Sequence, residues 1–176
     1  MRDGERLTIP VAPAGTSLAA RLLTVGLPVL VLVGAFLPGS EGAAASQSLL
    51  MFVFMAGAAA LALLFWIAPR RLGYALGATD LMLYHLNGTT RLLLSAAVAR
   101  RSTGRLGWRT FGIGLPGHFS GQFTFGPDAH RSVIAVASRP DHGVIVEHGQ
   151  RAYFLTPADP DAFLAELQQR GATVTQ

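Results

Sequence analysis

The stretch Gly112-Ile113-Gly114-Leu115-Pro116-Gly117 carries the spacing G-x-G-x-x-G. In a dinucleotide site such glycines follow a strand, open a helix onto the pyrophosphate and precede an acid about 20 residues on. Here Pro116 occupies the turn, Phe119–Phe125 reads as a strand, and Asp141 lies 24 residues past Gly117 in a turn signal. The spacing therefore reads as a glycine-rich connection where the backbone bends sharply or approaches another surface closely. A partner-binding loop is the alternative. Five histidines, His85, His118, His130, His142 and His148, raise a metal site. None are paired at i,i+4, and in Asp141-His142 and Glu147-His148 adjacent strand residues would point to opposite faces. No metal site is expected. Ser120, Ser132 and Ser138 stand in no G-x-S-x-G motif. With no cysteine, disulfides, thiolate metal sites and cysteine nucleophiles are excluded. No catalytic constellation remains, so neither an enzyme nor a cofactor is expected. An enzyme with a dispersed site is the remote alternative.

Cation chemistry is more distinctive. All 14 basic residues are arginine, a bias of GC-rich, bacterial composition. Each is a planar fork able to grip carboxylate or phosphate. No acid occurs from Leu81 to Pro127, which holds Arg91, Arg100, Arg101, Arg105 and Arg109. From Ala129 onward four arginines meet five acids. Arg70, Arg71, Arg100, Arg101, Arg105 and Arg109 are thus candidate contacts to anionic lipid headgroups or an acidic partner. The simpler reading makes Arg100–Arg109 a solvated loop. Nucleic acid is not expected, because a membrane anchor does not suit it.

That anchor comes from the first seventy residues. Only 14% of the chain is charged, and its mean hydropathy is +0.41. Leu22–Leu37 is an apolar run of sixteen, and Gly42–Pro69 is charge-free over twenty-eight. About 20 apolar residues cross a bilayer. The ten Leu, Ile, Val or Phe between Leu49 and Ile67 favour insertion by roughly 3–6 kcal/mol. Two antiparallel transmembrane helices are expected, joined by Pro38–Gln47. Gly26 and Gly34 would pack against Ala56, Gly57 and Ala60 through small-residue faces. A buried hairpin in a soluble protein and a signal peptide cleaved at Ala43-Ala44-Ala45 are the alternatives. Arg2, Arg6, Arg21, Arg70 and Arg71 place both termini in the cytoplasm. Trp66 and Tyr74 would anchor the interface.

Beyond Arg70 the period changes to two. Leu72, Tyr74 and Leu76 alternate, and Asn87-Gly88 between Leu81–Leu86 and Thr89–Leu94 signals a hairpin. Phe119–Phe125, Ser132–Ser138, Gly143–Glu147 and Ala152–Leu155 read as further strands. A closing helix follows, with Asp159 as N-cap, Pro160 at its first position, Phe163, Leu164 and Leu167 as its apolar stripe, and Gly171 as its stop. The domains expected are a polar tail over 1–17, a hairpin over 18–69 and a cytoplasmic β-domain over 70–176.

Two segments carry a resemblance. One is Trp108-Arg109-Thr110-Phe111-Gly112-Ile113-Gly114-Leu115-Pro116-Gly117-His118-Phe119, with Gly121 and Phe123. The other is Tyr153-Phe154-Leu155-Thr156-Pro157-Ala158-Asp159-Pro160-Asp161-Ala162-Phe163-Leu164. From about Leu72 to Arg170 the chain resembles the bacterial PH-like domain family of small membrane proteins. The resemblance implies a PH-like bent β-barrel of about seven strands capped by a C-terminal helix. It implies no enzyme activity and no family-wide ligand, because a fold does not transfer function. The expected whole is a membrane α-helical hairpin plus a mainly-β domain in the bacterial cytoplasmic (inner) membrane. Its expected role is a non-enzymatic interaction module, an accessory or scaffold subunit with the lipid bilayer and a membrane protein as partners. A sensor of anionic headgroups is the alternative.

Overall fold

The computed structural model describes residues 6–13, 26, 44–86, 88–115, 117–127 and 132–175. Within 44–67, side chains are described at 51–60, 63 and 67. Leu22–Leu37, Gly34, Asn87, Pro116 and His130 therefore lie outside the described residues, apart from Gly26 in that run. The chain divides into two compact units, Thr16–Ile67 and Met1–Gly15 with Ala68–Gln176.

The first unit contains α1, Ala44–Ile67. Its described positions Met51–Ala60, Leu63 and Ile67 are all apolar residues or glycine. Among the described residues, no helix is long and apolar enough to cross a membrane. The expected transmembrane hairpin is corrected accordingly. So is its placement as a two-pass protein of the bacterial inner membrane with cytoplasmic termini. Ala56 and Ala60 are exposed, and a methyl group added to Gly26 or Gly57 would meet nothing within 4 Å.

The second unit is mainly β. Four antiparallel strands form one sheet in sequence order: β1 (Leu7–Ile9), β2 (Gly73–Leu76), β3 (Asp80–His85) and β4 (Gly88–Leu93). The β3–β4 hairpin closes on His85 opposite Gly88, whose φ of 138° suits only glycine. Seven more strands follow: β5 (Ala97–Arg101), β6 (Arg105–Leu115), β7 (His118–Gly126), β8 (Ser132–Ala137), β9 (Val144–His148), β10 (Arg151–Leu155) and β11 (Thr173–Thr175). They lie in the order β11-β5-β9-β10-β8-β7-β6. The expected barrel of about seven strands is thus two open sheets, with eleven described strands between them.

The larger sheet is nevertheless strongly bent. β5 and β6 are five strand spacings apart in its order, about 24 Å if the sheet were flat. Only Ser102–Gly104 joins them, a reach of roughly 14 Å. The sheet must therefore curl until β6 nears the loop before β9. There the Leu106 N–H donates to the Pro140 carbonyl at 2.8 Å, and the Ser102 N–H donates to Gly143 at 3.0 Å. Curling also brings the Phe125 ring from β7 within 5.3 Å of Phe154 on β10.

Period-two alternation then buries both faces of the central strands. Val144, Val146, Tyr153 and Leu155 pack with Tyr74, Leu76, Leu81, Leu83 and Leu92 of the smaller sheet. Ile145, Ala152 and Phe154 face the other way, onto Leu106, Phe123 and Phe125. The closing helix α2 (Pro160–Gln169) seats Phe163 and Leu167 in the first of these cores. Asp159 accepts from the Asp161 and Ala162 N–H groups, both at 3.0 Å. At the other end Gly171 (φ 96°) donates to Gln168 and Ala172 donates to Leu167, a Schellman stop.

Tyr74 is fully buried instead of standing at an interface. Its hydroxyl donates to the Val136 carbonyl at 2.5 Å and accepts from the Thr156 N–H at 3.0 Å, so it ties both sheets together. Burial pushes its pKa up to about 12. The stretch read as a polar tail also contributes: β1 pairs with β2, and Ala12 and Pro10 exchange backbone hydrogen bonds with Thr156 and Ala158. Ser138 Oγ donates to the Ala12 carbonyl at 2.7 Å and lies 3.1 Å from Thr156 Oγ1.

Candidate interaction surface

The glycine motif belongs to the β6–β7 hairpin. Gly112 and Gly114 lie in β6, and Gly117 (φ 81°) turns the chain into β7. Gly112 sits opposite Gly121, at φ 103° and 124°. A Cβ on either would lie 2.7 Å from the other's Cα. The strands cross too closely there for any side chain, and a strand follows where a nucleotide fold needs a helix.

The histidines do not converge. Among the described residues no three His, Asp or Glu side chains gather. His85 lies 3.2 Å from Thr90 Oγ1, and burial lowers its pKa. His118 is buried at the start of β7, His142 is exposed 3.1 Å from Asp141, and His148 ends β9. Ser120 is buried, Ser132 is exposed, and Ser138 serves the polar network around Ala12.

The arginines separate into two groups. Arg91 pairs with Asp80 at 2.5 Å, Arg100 with Glu147 at 3.7 Å, and Arg101 with Asp161 at 2.6 Å. Three of the five cations in the acid-free stretch thus find carboxylates from other elements. Arg105 and Arg109 are exposed on β6, and no ion pair or hydrogen bond holds either side chain among the described residues. Arg70 and Arg71 are exposed in the 3-10 turn Ala68–Arg71. The solvated loop expected over Arg100–Arg109 is instead the end of β5, a three-residue corner and the first half of β6.

Between Arg105 and Phe111 lies the feature that sequence reasoning missed. Trp108 is 86% exposed and Phe111 73%, the two most exposed large apolar side chains described. β6 is the last strand of its sheet. It is offset from β7 by irregularities at Leu106–Arg109 and Arg109–Phe111. Such bulges re-aim side chains. The Trp108 N–H donates to Thr124 Oγ1 at 2.8 Å, and Thr110 Oγ1 donates to the Gln122 carbonyl at 3.1 Å. Threonine hydroxyls thus replace ladder bonds, holding the backbone while the aromatic rings stay in water. Two aromatics around an arginine in an acid-free stretch were the signal. Their exposure depends on the bulges, which the sequence pattern does not show.

Residues 92–171 match the family model described as Bacterial PH domain. The likeness to bacterial PH domains lies in this segment, somewhat less than half of the chain. No curated protein and no solved structure matches the chain. The PH-like segment runs from the end of β4 through α2, so it contains β6 and the Schellman glycine and leaves out α1 and β1–β3. PH domains are generally non-catalytic modules that bind lipids or proteins.

Proposed function

We propose that the chain is a non-enzymatic protein-interaction module, an accessory or scaffold subunit that docks its partner through β6 of the PH-like domain. The supporting observation is the exposure of Trp108 and Phe111 on a backbone held by Thr110 and Thr124. Trp and Arg dominate binding hot spots, and a preorganised strand loses little entropy on docking. The Trp108→Ala/Phe111→Ala double variant keeps its fold and loses a stoichiometric partner in a pull-down, with affinity down about a hundredfold. A partner retained at full affinity by that variant, or a chain that stays monomeric in every extract, defeats the reading.

The headgroup sensor is the second reading, favoured by Arg105 and Arg109 beside the exposed rings. Its other two cations, Arg100 and Arg101, already face Glu147 and Asp161. Binding to vesicles of phosphatidylserine and phosphatidylcholine that vanishes in Arg105→Glu/Arg109→Glu supports it. No binding by the unaltered protein disposes of it.

A further inference from the structure

We infer that the partner seated on β6 presents an acidic protein segment, its carboxylates spaced by apolar side chains. The inference rests on the docking role proposed above and names what docks. Its first ground is charge complementarity. Among the described residues, acids satisfy Arg91, Arg100 and Arg101, and none pairs with Arg105 or Arg109 on the strand that carries Trp108 and Phe111. A partner that covers the two rings also dehydrates the two guanidiniums. Burying a cation without a counter-charge is strongly unfavourable, so the partner must bring acceptors. Guanidinium forks take carboxylates in bidentate pairs.

Spacing narrows the partner further. Arg105 and Arg109 are four residues apart, roughly 13 Å along an ideal strand and less across a bulge. An extended segment meets both with two acids three or four residues apart. The apolar side chains between them reach Trp108 and Phe111. Recognition runs through side chains, because the irregular pairing at Leu106–Phe111 disturbs the edge that a long added strand would need. A membrane fits less well. Electrostatic recruitment to anionic lipid takes clusters of about four to eight basic residues, and this strand keeps two.

The test pans a library of random peptides as long as β6 (11 residues) against the full chain. Vesicles of phosphatidylcholine, with and without phosphatidylserine, are assayed in parallel. Enriched peptides are expected to carry at least two Asp or Glu interleaved with apolar residues. Their affinity should fall about tenfold or more in Arg105→Glu/Arg109→Glu, and about tenfold in Trp108→Ala. It should weaken with added salt and be partly kept by Arg105→Lys/Arg109→Lys. All four side chains are exposed, and an unchanged circular dichroism spectrum verifies that the variants fold. Peptides without acidic bias, peptides indifferent to the charge reversal, or an empty selection overturn the acidic partner. If those peptides still need Trp108, the docking role of β6 stands. Peptides that ignore both the rings and the arginines overturn both claims. Phosphatidylserine-dependent vesicle binding that needs Arg105 and Trp108, with no acidic peptide enriched, assigns the surface to membrane and overturns the inference.

Discussion

Gly112 and Gly121 meet backbone to backbone, so their cost of substitution is steric as well as conformational. Gly112→Ala or Gly121→Ala should destabilise the protein by about 2–4 kcal/mol, read by urea denaturation. Gly149 separates the two terms. Its φ is 62°, but a Cβ there meets nothing within 4 Å, so Gly149→Ala should cost only about 1 kcal/mol. Equal losses at all three sites would contradict the close crossing. Tyr74 supplies a pH dependence. Its folded pKa of about 12 lies above the ordinary phenol value of 10.0. The neutral phenol is therefore the form that folding favours. Its contribution is complete below pH 10 and is lost as pH rises from 10 through 12, roughly 3 kcal/mol in all. Tyr74→Phe should be less stable at pH 7 by about 1–3 kcal/mol, because the Thr156 N–H and Val136 carbonyl lose their partner. It should also lose the alkaline decline. A variant with the same decline above pH 10 would assign that decline elsewhere.

At the scale of elements, α2 is specified by its ends and its stripe. Asp159→Ala removes two capping bonds and should lower stability by about 1 kcal/mol in thermal or urea unfolding, with the fold retained. The Arg101–Asp161 pair, in which Nη1 donates to both carboxylate oxygens, is exposed on both sides, so Arg101→Ala should change stability by less than about 1 kcal/mol. These features were legible because N-caps, Pro at the first turn, C-terminal glycine and i,i+4 apolar spacing are local rules. The strands 118–126, 132–137, 144–148 and 151–155 were legible for the same reason, each being an apolar alternation between turn residues. β6 was not. Its Gly107, Gly112 and Gly114, with Arg105, Arg109 and Thr110, read as a loop and a glycine-rich connection, and it is a strand because β7 supplies partners that sequence spacing does not reveal. β1 was hidden likewise: its pairing partner β2 lies more than sixty residues downstream.

At the scale of the molecule, the PH-like match covers residues 92–171, but the first core draws Tyr74, Leu76, Leu81 and Leu83 from outside it. A fragment of residues 92–171 should therefore fail to unfold cooperatively in urea. A fragment of residues 68–176 should retain a cooperative transition, weakened by the loss of β1 and of the Ala12 contacts with Ser138 and Thr156. Cooperative folding of the shorter piece would show that the smaller sheet is dispensable. The arginine reading changes at this scale too. Arg100, Arg101, Arg105 and Arg109 look like one basic run along the chain. In space the first two are neutralised by β9 and α2, and the docking potential passes to β6.

The sequence by itself determined the period-two strands, the β3–β4 hairpin, the capped closing helix and the strand that follows the glycine motif, because each follows from residues close together in the chain. Only the tertiary structure decided which cations keep a free charge and which aromatics stay in water. Charge pairing and exposure are set by what long-range strand order and bulges bring near. The expectation of two membrane-crossing helices came from apolar run length alone, and no helix among the described residues meets the length and apolarity that crossing requires.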